Sequence, residues 1–221
     1  MAEATLAPLL REVRACRVCA EALDAGCRPV LRARATARLL IVGQAPGTRV
    51  HASGIPWNDP SGERLRAWMA LDPARFYDQA RVAIIPMGFC YPGRAVNGGD
   101  LPPRPECAPL WHGRLLNHLP ALDLVLLVGG YAQRHYLGDR AARTVTATVA
   151  AWRDALPRFL PLPHPSWRTR GWVRRNPWFE AELVPELRRR VAALAGADAT
   201  SRAVSPVPDD RPSPLGPVPE A

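Results

Sequence analysis

Lysine is absent from this chain, and all 29 of its basic residues are arginine. Set against 20 acidic residues, they leave a net charge of +9. GC-rich coding accounts for the choice of arginine over lysine. The excess of positive charge predicts attraction to a polyanion, with nucleic acid the first candidate. Long apolar runs are also missing: none reaches the ~18 residues of a membrane span, so no membrane partner is expected. The opening Met-Ala-Glu-Ala has neither the basic segment nor the apolar core of a signal peptide, which makes a cytoplasmic protein the expectation. No Gly-rich loop ends in Gly-Lys-Ser/Thr, so a nucleotide hydrolase holding phosphate on the Gly47 loop ranks last among readings. Cysteine is sparse. Five thiols in a cytosolic chain point to metal binding or catalysis rather than to disulfides.

What is present is an alternation. Four short apolar runs, Leu39–Val42, Val82–Ile85, Leu122–Val128 and Phe159–Leu162, have the length and composition of buried strands. Helical spacing of apolar residues marks Leu6 to Cys16, Leu65 to Leu71 with Ser61 as N-cap, Cys107 to Leu119, and Pro177 to Leu194. Further helices are expected after Gly129-Gly130 and over Val145 to Trp152. Such alternation predicts an α/β fold, three layers α/β/α around a mainly parallel four-stranded central sheet. The domain is expected to span 1–195, followed by a disordered Pro-rich tail over 196–221. Arg94 to Pro105, rich in Gly and Pro, reads as an extended surface loop.

In such sheets ligands sit at the carboxyl ends of strands, so the loops there are the places to look for a site. After the first strand comes Gly43-Gln44-Ala45-Pro46-Gly47, and then Gly54-Ile55-Pro56-Trp57-Asn58-Asp59. This stretch resembles the first motif of the uracil-DNA glycosylase superfamily, and most closely its iron–sulfur branch, families four and five. The pattern there is GEAPG followed by Gly-x-Pro-Phe. After the fourth run, His164-Pro165-Ser166 resembles the second motif of the superfamily. The resemblance covers about residues 5 to 193.

The resemblance extends to the cysteines. Cys16 and Cys19 form a C-x-x-C before the first motif, Cys90 follows the second strand, and sixteen residues separate it from Cys107. These are the positions of the cluster ligands in the iron–sulfur branch. Four thiolates suit a 4Fe-4S cluster, with tetrahedral zinc as the alternative on the same ligands. Its role would be structural, tying the N-terminal helix to the loop after the second strand. Cys27 falls outside the pattern and reads as a buried or free thiol.

The implied activity is monofunctional hydrolysis of the N-glycosidic bond of deoxyuridine in DNA, by a monomer, leaving an abasic site. The base must leave the stack before its bond can be reached. His164 would donate to uracil O2 and steady the departing anion. Trp57, where the family has Phe, would stack on the flipped base. Gln44, in place of Glu, would hydrogen-bond base or water. Gly43 and Ala45 would line the base site, and Ser166, Trp167 and Arg168 would wedge the duplex and hold phosphate. Ala45 replaces the Asp that orients water in the best-studied branch, so Asp59 and His51 become the candidates for that task. An Asn that reads the uracil edge aligns with Pro86, which leaves the backbone amides of Met87 and Gly88, or the Asn58 side chain, to read it. The basic insertion of the branch that traps itself covalently is missing, which favours turnover. The alternative is a non-catalytic uracil- or damaged-DNA-binding protein of the same fold.

Overall fold

A computed structural model of the chain describes residues 2–96 and 98–196. The expected tail, Gly196 apart, lies outside the described residues. The four apolar runs are strands: β1 (Leu39–Val42), β2 (Val82–Ile84), β3 (Leu124–Val128) and β4 (Phe159–Leu162). They pair in the order β2-β1-β3-β4, and every pairing is parallel. Leu40 sits opposite Ala83 on one side and Val125 on the other.

The helices are α1 (Ala2–Ala15), α2 (Thr48–Ser53), α3 (Pro60–Met69), α4 (Pro73–Phe76), α5 (Cys107–Leu116), α6 (Gly130–Leu137), α7 (Val145–Ala150), α8 (Thr169–Arg175) and α9 (Val184–Ala195). Successive strand residues point to opposite faces, and each face is covered. Leu40, Val42, Val125 and Leu127 meet Leu6, Leu10 and Val13 of α1 and Trp111 and Leu115 of α5. Leu39, Ile41, Leu124 and Leu126 meet Leu65, Trp68 and Met69 of α3 and Leu187 and Val191 of α9. This is the three-layer α/β/α arrangement. Among the described residues, no helix is long and apolar enough to cross a membrane.

Several details differ from the sequence expectation. The N-cap of α3 is Asp59, not Ser61: its carboxylate Oδ1 accepts from Gly62 N at 2.7 Å, and Pro60 occupies the first turn. Helices α2 and α8 were not anticipated, because each buries a single residue, Val50 and Thr169, and so has no apolar stripe. The last helix begins at Val184, after a π-helical turn over Phe179–Leu183.

The strand order locates the site. From β1 the chain moves to one side to form β2, then crosses back to form β3 on the other. The crevice of a doubly wound sheet opens at this reversal, at the carboxyl ends of the two central strands. Polar groups at this edge are closed off. Gln133, buried on α6, donates from Nε2 to Leu162 O at 2.9 Å and to Leu127 O at 3.4 Å. His112, buried on α5, places Nε2 2.9 Å from Pro86 O and Nδ1 2.7 Å from the Tyr136 hydroxyl. A carbonyl only accepts, so Nε2 carries the proton and the tyrosine hydroxyl donates to Nδ1. Burial pushes His112 down to about 4, which keeps it in that neutral form.

Candidate active site

Over the carboxyl end of β1, bordered by the end of β2 and the loop after β4, lies a cleft of about 580 Å³. Its floor is the Gly43–Gly47 loop together with Pro86. Backbone hydrogen bonds hold that floor in place: Met87 N donates to Gly43 O and Gly88 N to Gln44 O, both at 2.9 Å. The amides expected to read a base are therefore consumed in building the loop.

Trp57 enters the cleft from the segment between α2 and α3. It is a non-glycine residue at φ 58°, a left-handed conformation. What holds it there is contact on two sides. A Cβ on Gly43 would lie 2.7 Å from Trp57 Cζ2, so only glycine lets the indole lie against the floor. A Cβ on Gly62 would lie 1.8 Å from Trp57 O, which fixes glycine in the first turn of α3.

His164 follows β4 and lies beside the tryptophan, with ring centroids 5.7 Å apart and planes tilted 34°. Its carbonyl accepts from Ser166 N at 2.8 Å and from the Thr169 hydroxyl, which fixes the loop. Arg64 of α3 donates from Nη1 to Pro165 O and to Ser166 O, joining the tryptophan segment to the histidine loop. No described residue hydrogen-bonds the His164 ring, so its nitrogens are free for a ligand. Desolvation holds its pKa below the usual histidine value against the opposing charge of Asp59, and the ring is a neutral donor near pH 7. At the rim Trp167 is 71% exposed, with the Arg168 guanidinium carbon 4.9 Å from its ring centre.

The profile of the Uracil DNA glycosylase superfamily matches residues 32–188. The chain belongs to that superfamily. Its function is accordingly that of a DNA-repair glycosylase, a hydrolase acting on DNA.

The two stretches that resemble the superfamily's motifs thus meet in one cleft. Gly43, Gln44, Ala45, Trp57, Asp59 and His164 line it, and Ser166, Trp167 and Arg168 form part of its wall. Gln44 is partly committed, since its Nε2 donates one N–H to Leu101 O at 3.1 Å, which leaves its second N–H and its carbonyl oxygen for a ligand. Four expected residues do not line it: Met87 and Gly88, whose amides hold the floor from behind, and His51 and Asn58. His51 faces Tyr91, with ring centroids 5.9 Å apart. Asn58 borders a separate groove with Arg49, Ser53 and Glu63. The cleft also holds Arg94, Gly99 and Asp100, from the stretch read as a surface loop. Gly98-Gly99 before Asp100 was the one local sign of a tight turn there.

The superfamily match begins after Cys16, Cys19 and Cys27. All five cysteines nevertheless border one hollow, with Gly88, Arg104 and Trp111 among its other walls. Cys27, expected apart, belongs to it. Burial pushes the Cys90 thiol up to about 11 and Cys107 up to about 12. Neighbouring thiols add to both shifts. Phe89 N donates to Cys107 Sγ at 3.4 Å. The buried indole Nε1 of Trp111 has no partner among the described residues. Among those residues, no three His, Cys, Asp or Glu side chains converge closely enough to hold one metal ion.

Proposed function

We propose that this protein is a cytoplasmic, monomeric uracil-DNA glycosylase that flips uracil from DNA, hydrolyses its N-glycosidic bond and leaves an abasic site. The observation that carries this reading is the pairing of a neutral, unpartnered His164 with the Trp57 indole in one cleft at the sheet's switch point. A flipped base stacks on an aromatic face for about 1–3 kcal/mol. Cleavage sends the electrons of the C1′–N1 bond into the base, and a donor positioned at O2 stabilises the resulting anion. A neutral imidazole can donate there without first losing a proton. Trp167 and Arg168 at the rim have the exposure and chemistry for the duplex and its phosphates.

The cysteine hollow supports a cluster as the resident cofactor. The Cys19, Cys90 and Cys107 thiols are partly desolvated there, a cost that iron ligation relieves. An orphaned indole N–H at the same hollow suits a group that offers sulfur acceptors. Tetrahedral zinc draws four sulfurs to about 2.3 Å from one point, whereas a four-iron cluster spreads its ligands over separate irons. Thiols that ring a hollow without converging fit the second case better. Cys16, Cys19, Cys90 and Cys107 would hold it. When bound it would join α1, the loop after β2 and the start of α5, with no part in the bond cleavage.

The test is an oligonucleotide with one uracil, run beside hypoxanthine and xanthine substrates. Release of free base and an alkali-labile abasic site is expected on uracil. Tight, selective binding to uracil-DNA with no cleavage would replace the enzyme by a damage-binding protein.

A further inference from the structure

The cleft contains a carboxylate that the glycosylase motifs do not supply. Asp100 closes a tight turn in which Leu101 N donates to Gly93 O and Ala95 N to Gly99 O, both at 2.9 Å, while Arg94 and Asp100 face each other as an antiparallel bridge. The Gln44 amide fastens this turn to the first loop through Leu101 O. As a result Asp100 Oδ2 lies 3.3 Å from the place a Cβ on Gly47 would occupy, at the end of the floor. No described residue donates a hydrogen bond to this carboxylate, and it is open to the cleft's solvent. Asp59, the other cleft carboxylate, spends one oxygen capping α3.

We propose that Asp100 is the general base of the reaction. This rests on the glycosylase reading above. The C1′–N1 bond breaks with its electron pair going to uracil, water oxygen forms the new bond to C1′, and the Asp100 carboxylate takes the water proton. The uracil anion, steadied at His164, later receives a proton from solvent, so the products are free base and an abasic sugar.

Partial desolvation raises the pKa of Asp100, the Arg94 charge lowers it, and the Asp59 charge raises it again. The net shift is upward, which strengthens the base at neutral pH. The charged and titratable groups around it are Arg94 and Tyr91 on its own stretch, Asp59 at the cap of α3, and His164 and Arg168 from the loop after β4.

Single-turnover cleavage of a uracil oligonucleotide by the full chain tests it, with affinity for the same DNA measured in parallel. Asp100→Asn should fold normally, because its side chain holds nothing in place, and thermal melting checks this. Its chemical step should fall by about 10²–10⁴-fold, the usual contribution of a positioned base, with affinity almost unchanged. The wild-type rate should rise with pH through the ionisation of Asp100, and that limb should vanish in Asp100→Asn. Asp59→Asn removes a repulsive neighbour and should move the limb to lower pH. An unchanged rate in Asp100→Asn, or a loss matched by an equal loss of affinity, would overturn the assignment while the glycosylase reading survives. A wild-type chain that binds uracil-DNA and never cleaves it overturns both.

Discussion

The Trp57 indole lies so close to Gly43 that a methyl group there would sit 2.7 Å from Cζ2. On the other side Gly62 meets the tryptophan carbonyl, so the residue cannot retreat. Gly43→Ala should therefore tilt the ring and remove flipped-base stacking worth about 1–3 kcal/mol, read as weaker binding to uracil-DNA than to undamaged DNA of the same length. Gly62→Ala strikes backbone instead, and should lower the melting temperature before it affects binding. Equal effects of the two substitutions on melting would show that Gly43 serves packing alone.

Removing the His164 side chain tests the leaving-group role. His164→Ala should slow the chemical step by about 10²–10³-fold, the usual loss for one oxyanion donor. Affinity should change less, because Trp57 and the arginines remain. Burial lowers the His164 pKa, so acid should begin to charge the ring only below the usual histidine range. An equal fall of rate and affinity in single-turnover assays would move His164 from chemistry to binding.

Purified protein should be brown and absorb broadly near ~400 nm, as thiolate-ligated iron does. Cys16→Ala and Cys107→Ala should lose the colour and melt at lower temperature. Cys27→Ala removes a thiol from the same hollow but not one of the four expected ligands, and should keep both colour and stability. Iron and zinc analysis decides the matter: a colourless protein with one zinc overturns the cluster.

His112 makes stability depend on pH. Its folded pKa, about 4, lies below the unfolded value of 6.5. Above pH 6.5 the group is neutral in both states and has no effect. As pH falls from 6.5 towards 4 the unfolded chain takes up a proton that the folded chain refuses, and stability drops by about 3 kcal/mol. Urea denaturation at pH 7 and pH 4.5 should show most of this loss. His112→Gln, which can still donate to Pro86 O, should flatten the slope.

The strands were legible because each is a short run buried on both faces, and such runs need no tertiary knowledge to be seen. Leu39–Val42 and Phe159–Leu162 were placed to the residue. Their order was not legible, because nothing in β1 says that β3 rather than β4 lies beside it. The motif loops announced Trp57 and His164. They could not announce Asp100, which lies on a Gly-rich turn that the Gln44 side chain meets at Leu101 O, a contact distant in sequence. The roles expected of Met87, Gly88 and Asn58 depended on where N–H groups and side chains point, and sequence spacing does not encode that direction. Cys27 was set apart for want of a spacing partner, although the chain folds it back to the other four.

Gly88 is a party wall. One side of this residue borders the cysteine hollow, and its N–H carries Gln44 O on the floor of the cleft. That one peptide links a wall of the hollow to the loop on which the cleft is built. Any shift of Gly88 at the wall of the hollow would therefore strain the hydrogen bond that holds Gln44 O in the floor of the cleft.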